Sequence, residues 1–170
     1  MKFLLIGSVG SLTLDSEKQI RESFEAIYSS SDSNYPDFDT ARWPRNRYEA
    51  VLRVAPMAER ILDVGCGNGL LMYNLRSRAN ELFGLEMART RAKNARRELE
   101  NRGVAATITE GNIEHSLEYS DHFFDVVVCV DTLQFVLNLW SAMTEISRVL
   151  VPGGCFIATV PNASSLRRRL

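Results

Sequence analysis

The stretch Ile61-Leu62-Asp63-Val64-Gly65-Cys66-Gly67-Asn68-Gly69 decides how the rest of the chain is read. An apolar run ends in a carboxylate, breaks into three alternate glycines, and is followed by Leu70, Leu71 and Leu75 at helical spacing. That is the pattern of a strand, a tight turn and a helix. Glycine has no Cβ, so the turn bends sharply and lets a ligand lie almost against the backbone. The helix is expected to aim its free N–H groups and the positive end of its dipole at that ligand. Such a loop, at the carboxyl end of a strand, is where open α/β sheets bind nucleotide-type ligands.

Spacing narrows the ligand. A dinucleotide fingerprint, G-x-G-x-x-G, needs glycine where Leu70 stands, and Gly69 comes one position early. No Gly-Lys-Ser/Thr sequence occurs, so a phosphate-cradling P-loop is absent as well. A nicotinamide-dependent dehydrogenase is disfavoured on this ground. Further apolar runs lead into polar residues. Leu82-Phe83-Gly84-Leu85 ends in Glu86, placed where an acidic side chain can accept from ribose hydroxyls. Ala106 to Ile108 leads into Glu110-Gly111-Asn112-Ile113, and Phe124 to Val130 into Asp131-Thr132-Leu133-Gln134-Phe135-Val136. Arg148-Val149-Leu150-Val151-Pro152-Gly153-Gly154 leads into Cys155 to Val160 and Pro161-Asn162.

Together these motifs, from Ile61 to Asn162, resemble the class I S-adenosylmethionine (SAM)-dependent methyltransferases, most closely the small-molecule group called type 11 or type 12. The resemblance implies a doubly wound, Rossmann-like α/β fold with a parallel sheet in the order 3-2-1-4-5, and SAM as cofactor. It places Gly65, Cys66, Gly67 and Gly69 against the methionine and ribose portions. Asp63 then orients the loop or meets the ammonium, Glu86 takes the ribose hydroxyls, and Met87 and Ile113 clamp the adenine with Asn112 at its edge. Asp131 and Leu133 belong to the same site. Family members usually carry aspartate where this chain has Asn112. Plainer readings stand beside these: Asp63 as a helix cap, Glu86 as an acid opening the next helix, Asn112 as a turn residue and Cys66 as a small filler.

Methyl transfer is an in-line displacement in which the protein chiefly supplies alignment and exclusion of water. A base is needed only for a poorly acidic hydroxyl or a protonated amine. Asp131 and His115 are the candidates; each also has a structural reading, and the catalytic base stays unassigned. The leading expectation is transfer to a small-molecule, lipid or saccharide-type acceptor; its rival is a SAM-binding, non-catalytic subunit or regulatory module.

At 170 residues, 45% apolar and 24% charged, the chain has the bulk properties of one globular domain. A formal charge of −1 gives no global argument for nucleic acid or an anionic membrane. Cys66, Cys129 and Cys155 have no C-x-x-C spacing, so neither a disulfide framework nor a zinc site is indicated, and a reducing, cytoplasmic setting fits. The apolar start Met1 to Ile6 is short for a signal peptide and lacks an A-x-A-like cleavage site. No run is long enough to span a membrane.

Residues 1–46 read as an N-terminal helix (Ser16 to Tyr28) and a lid-like segment, and 47–170 as the SAM-binding core. Tyr28, Tyr35, Trp43 and Tyr48 offer aromatic faces to a sulfonium. Helices are expected over Arg47 to Val54, Ala88 to Arg102 and Leu139 to Val149. Asn138 caps the last of these, whose Trp140, Met143 and Ile146 should pack on the sheet, and Pro152-Gly153-Gly154 should stop it. The basic residues Arg89, Arg91, Lys93, Arg96, Arg97 and Arg102 read as a solvated face. The sequence ends at Leu170, eight residues after Asn162, before the family's sixth and seventh strands. Cys155 to Val160 is therefore an expected apolar edge. Three readings follow: a fragment of a longer protein, a homodimer through that edge, or cover from Phe3 to Val9.

Overall fold

The computed structural model describes residues 45–160, together with 18, 19, 21–23 and 26. The latter are helical, with the Ser23 hydroxyl donating to the Gln19 carbonyl at 2.8 Å. Tyr28, Tyr35, Trp43, the stretch Phe3 to Val9, and Pro161-Asn162 lie outside the described residues.

Within 45–160 the order is α1 (Arg45–Val54), β1 (Ala58–Val64), α2 (Leu70–Leu75), β2 (Ala79–Glu86), α3 (Arg89–Asn101), β3 (Thr107–Glu110) and β4 (Phe124–Val130). A single 3-10 turn, Leu133–Phe135, then precedes α4 (Leu139–Val149) and β5 (Leu150–Thr159). The five strands form one parallel sheet in the order β3-β2-β1-β4-β5. This is the expected fold and strand order. The chain reverses direction across the sheet between β1 and β4, and the carboxyl ends of those strands carry the glycine loop and Asp131.

Two apolar layers flank the sheet, which is why its inner strands are continuous apolar runs. Ile61, Leu82, Val126 and Val128 pack with Val51 of α1, Leu71, Met72 and Leu75 of α2, and Ala92, Ala95 and Leu99 of α3. Leu62, Val64, Phe83, Leu85 and Val127 pack on the other face with Ala142, Ile146 and Val149 of α4. The i, i+4, i+7 spacing of those three α4 residues defines its inward stripe. Trp140 is off that stripe and 76% exposed, which corrects the expectation that it packs on the sheet. Asn138 does cap α4, its side chain accepting the Ser141 N–H at 3.1 Å.

Pro152-Gly153-Gly154 does not end α4, which already stops at Val149; the three residues form an irregularity inside β5. Leu150 pairs with Phe124 and the next pair is Cys155 with Val126, so extra residues bulge out of β5 where Pro has no N–H to give and Gly153 adopts φ 80°. Arg148 secures the long connection before β4. Its guanidinium donates to the Leu117 and Tyr119 carbonyls at 3.1 and 2.8 Å, and to Asp121 at 2.8 Å. Its pairing with Glu145, which also accepts the Leu117 N–H, holds that carboxyl below its ordinary range. Among the described residues no helix is long and apolar enough to cross a membrane, and no group of three or more His, Cys, Asp or Glu is arranged to hold a metal ion.

Candidate functional site

The carboxyl ends of β1, β2 and β4 enclose a cleft of about 300 Å³. Its walls come from four segments: Gly65 to Asn68 after β1, Glu86 and Met87 at the end of β2, Gly111 to Glu114 after β3, and Asp131, Thr132 and Gln134 to Val136 after β4. Tyr48 from α1 and Arg91 from α3 also line it.

The glycine loop is tied to the end of β2. The Gly65 and Cys66 N–H groups both donate to the Leu85 carbonyl, at 2.7 and 3.1 Å. The Gly67 N–H donates to Glu86 Oε2 at 2.8 Å, and the Gly69 N–H to the Cys66 carbonyl at 2.9 Å. The other Glu86 oxygen accepts the Ala88 N–H at 3.0 Å, so one buried carboxylate stitches the glycine loop to the start of α3. Both readings of Glu86 therefore have a geometric basis: it lines the cleft, and it anchors the next helix.

This arrangement corrects the expected role of the helix N-terminus. The cleft wall stops at Asn68, and the Leu70 N–H turns to Asn68 Oδ1 at 3.3 Å. With the N–H groups of its three glycines engaged, the loop presents close-packed backbone rather than a phosphate cradle.

Gly65 and Gly67 each serve a specific need. Gly65 has φ 75°, and a Cβ there would lie 2.1 Å from Thr132 Oγ1 and 2.9 Å from Thr132 Cβ. Gly67 has φ 60°, and a Cβ there would lie 2.4 Å from Arg91 Nη2. Gly65→Ala should therefore cost the ~1–2 kcal/mol of a left-handed alanine plus the clash, and lower the melting temperature by several degrees. Adding Thr132→Gly, which also removes the Cβ, should recover the steric part while leaving the left-handed backbone part. A thermal melt of the single and double variants checks this; equal melting temperatures for both would contradict it.

Of the residues singled out from the sequence, Gly65, Cys66, Gly67, Glu86, Met87, Asn112, Ile113 and Asp131 line this one cleft. Asp63 does not; it is 3% exposed at the end of β1. Burial first, and the Glu86 carboxylate second, push its pKa up to about 7. Gly69 lies outside the wall with Leu99 against it, and Leu133 packs into the apolar layer beside α4. His115 is also off the wall, its backbone N–H closing a turn to the Asn112 carbonyl at 3.1 Å. Burial raises the Cys66 thiol well above its ordinary range, which suits a neutral packing group rather than a nucleophile.

Asp131 is held from several sides. It adopts φ 53°, its N–H donates to Thr159 Oγ1 at 3.0 Å, and the Thr159 hydroxyl donates to Asp131 Oδ1 at 3.1 Å. Arg47 of α1 pairs with Oδ2, joining the helix before β1 to the end of β4.

Three contributors escaped the sequence reading. Arg91 lies against Gly67 with its Nη1 4.0 Å from Glu86 Oε2, so it is turned into the cleft rather than onto the solvated face. Its signal was the buried stripe Ala88, Ala92, Ala95 and Leu99, which Arg91 flanks. Thr132 packs on Gly65. Glu114 accepts the Leu137 and Asn138 N–H groups at 3.0 and 2.6 Å, linking the loop after β3 to the start of α4; no local pattern announces that pairing.

Comparison with known proteins accords with this geometry. Residues 62–158 match the family described as methyltransferase domain. This chain belongs to that family. Among curated relatives of the methyltransferase domain, the ubiquinone biosynthesis O-methyltransferase of Vibrio cholerae is 30% identical over 96 residues, 56% of this chain and 39% of that protein. The protein of the same name from Hahella chejuensis is 32% identical over 109 residues, 64% of this chain and 46% of its own. The chain thus spans less than half the length of either relative. Among solved structures, the PH0226 protein from Pyrococcus horikoshii superposes with a TM-score of 0.68 at 25% identity, over 79% of this chain and 65% of that one. A Thermotoga maritima structure described as a SAM-dependent methyltransferase gives a TM-score of 0.59 at 29% identity, over 72% and 53% of the two chains. The cofactor that goes with this methyltransferase domain is S-adenosyl-L-methionine.

Proposed function

We propose that this chain is the cofactor-binding core of a SAM-dependent methyltransferase acting on a small-molecule, lipid or saccharide-type acceptor. One observation carries the reading: the glycine loop walls the cleft while its glycine N–H groups are spent on Cys66 and the end of β2. A pyrophosphate would find few donors there, whereas a phosphate-free nucleoside needs only close approach. The charge balance points the same way. Glu86, Glu114 and Asp131 line the cleft against Arg91 alone among basic residues, which suits a ligand carrying a sulfonium and an ammonium.

In this reading Glu86 keeps lone pairs for two ribose hydroxyls while holding Gly67 and Ala88. Met87 and Ile113 flank the base, Asn112 meets its edge, and Asp63 sets the potential under the loop. Bound there, the cofactor supplies an activated methyl carbon together with its own leaving group. The chain's own task is to orient, to exclude water and to leave one side open. Asp131 is the candidate base that reaches the cleft, but its carboxylate is engaged by Arg47 and Thr159, which favours a positioning role.

The names of the ubiquinone-pathway relatives support an oxygen acceptor. The same reading takes residues 1–46 as an N-terminal helix and lid-like segment beside a SAM-binding core of 47–170. It sets the chain in the cytoplasm, where its free cysteines stay reduced, and leaves the outer edge of β5 for a second copy. Calorimetric titration with S-adenosylhomocysteine and with NAD should show saturable binding of the first and none of the second. The opposite result would overturn the reading. Labelled SAM incubated with a metabolite panel then tests for transfer, and its failure across the panel would favour a binding subunit.

A further inference from the structure

We propose that Glu114 is a positioning residue that ties the base end of the cleft to the wall formed by residues 134–136, so that a nucleoside bound at the first orders the second. The inference rests on the cofactor reading above, which puts the base against Ile113 and leaves Gln134, Phe135 and Val136 for the acceptor. Both segments line the same cleft, yet they follow different strands, β3 and β4. Their spacing therefore needs a tertiary link.

Glu114 makes that link with both carboxylate oxygens. Oε1 accepts the Leu137 N–H at 3.0 Å, and Oε2 accepts the Asn138 N–H at 2.6 Å. Two consecutive N–H groups on one planar carboxylate fix direction as well as distance, and hydrogen bonds to a charged acceptor are about twice as strong as neutral ones. The negative charge also sits at the N-terminal, positive end of α4. Toward the base end the connection is short. The Glu114 N–H donates to Asn112 Oδ1 at 3.0 Å, and Ile113 is buried in the apolar layer that also receives Leu133 and Val136. A base held against Ile113 thus bears on a loop whose next residue grips the start of α4.

The wall between β4 and α4 is fixed at each end. Asp131 is held by Thr159, and Leu137 and Asn138 are held by Glu114. Between those anchors the Phe135 and Val136 N–H groups donate to the Thr132 and Leu133 carbonyls, inside the same turn. Those bonds shape the turn without tying it to the loop after β3. Release of Glu114 removes the second anchor, whereas a ligand that stiffens the loop after β3 reaches the wall through the carboxylate. Coupling of this kind works through local order and needs no displacement, and hydrogen exchange measures it.

Amide exchange followed by NMR on the full chain, with S-adenosylhomocysteine as the probe, tests the proposal. Leu137 and Asn138 are the reporters, because they lie beyond the cleft wall and their N–H groups end on Glu114. Gly103 and Val104, in the turn after α3, register any general stabilisation. Saturating ligand should slow exchange at both reporters by about fivefold or more relative to that turn. In Glu114→Ala the slowing should vanish at both, and affinity for the probe should fall by about tenfold. Glu114→Gln keeps the side-chain length and offers one oxygen, so it should retain the slowing at one reporter and lose less affinity. Thermal melts confirm folding, and the glutamine variant decides if the alanine variant does not fold. Saturable binding to wild type with no slowing at Leu137 and Asn138 beyond the control turn would overturn the inference. So would slowing at both reporters that survives in the variants. Failure of wild type to bind the probe would instead remove the cofactor reading, and this inference with it.

Discussion

Glu86→Ala should abolish measurable binding of S-adenosylhomocysteine and lower the melting temperature in the same protein. Truncation leaves the Gly67 and Ala88 N–H groups without their acceptor in a buried site, and removes the carboxylate nearest the Arg91 guanidinium. Each stranded buried donor costs about 1–3 kcal/mol, so a loss of about 2–6 kcal/mol in stability is expected. Loss of two charge-assisted bonds to ribose should weaken binding by at least about 100-fold. Glu86→Gln separates the two effects. Its amide oxygen can accept one N–H, but its NH2 then faces the other donor, so stability should fall less than in the alanine variant while affinity still drops steeply. Differential scanning calorimetry and titration calorimetry on both variants give the answer. Unchanged affinity in the alanine variant would remove Glu86 from the ribose site, and an unchanged melting temperature would remove it as the stitch between β2 and the glycine loop.

The second large effect concerns pH and Asp63. Its pKa stands near 7 in the folded protein against an ordinary value of 3.8, because burial and the Glu86 carboxylate both oppose its charge. The native state therefore holds a proton between those values that the unfolded chain has released. The stability contributed by neutral Asp63 is fully present below about pH 4 and is lost as pH rises through about 7, a swing of the order of 4 kcal/mol at most. Asp63→Asn should flatten that profile and make the protein more stable than wild type at pH 8. Ligand binding should show the opposite preference. A cationic ligand favours the ionised carboxylate, so binding near pH 6.5 should release up to about three-quarters of a proton and tighten as pH rises toward 8. Titration calorimetry in buffers of differing ionisation enthalpy measures that proton directly. Asp63→Asn should be the more stable protein at pH 8 and the weaker binder. A variant less stable than wild type at pH 8, or wild-type binding that releases no proton, would show that Asp63 is not the coupled group.

How much of this was legible beforehand varies with the range of the interaction. The strands themselves, the glycine turn after β1, the Asn138 cap and the limits of α4 follow from apolar periodicity and turn chemistry, which act over a few residues, while the strand order followed from the likeness of the motifs to a known family. Gathering Gly65, Gly67, Glu86, Asn112 and Asp131 around one cleft needed only the parallel topology, since it brings every strand's carboxyl end to the same side. The bulge in β5 was misread as a helix stop because Pro-Gly-Gly has the same local signature in both settings, and only pairing with β4 separates them.

The sequence by itself determined the strands, helices and turns of the fold, because hydrophobic pattern and backbone permissiveness are local properties written along the chain, and the likeness of its motifs to a known family supplied their order in the sheet. Tertiary structure alone decided which partners the polar atoms take. It spent the loop N–H groups on β2 and the turn after Gly67, sank Asp63 beside a second carboxylate and turned Arg91 inward. Those choices depend on strand register and on distances between residues far apart in the chain, and a shift of one residue in register would redirect nearly all of them.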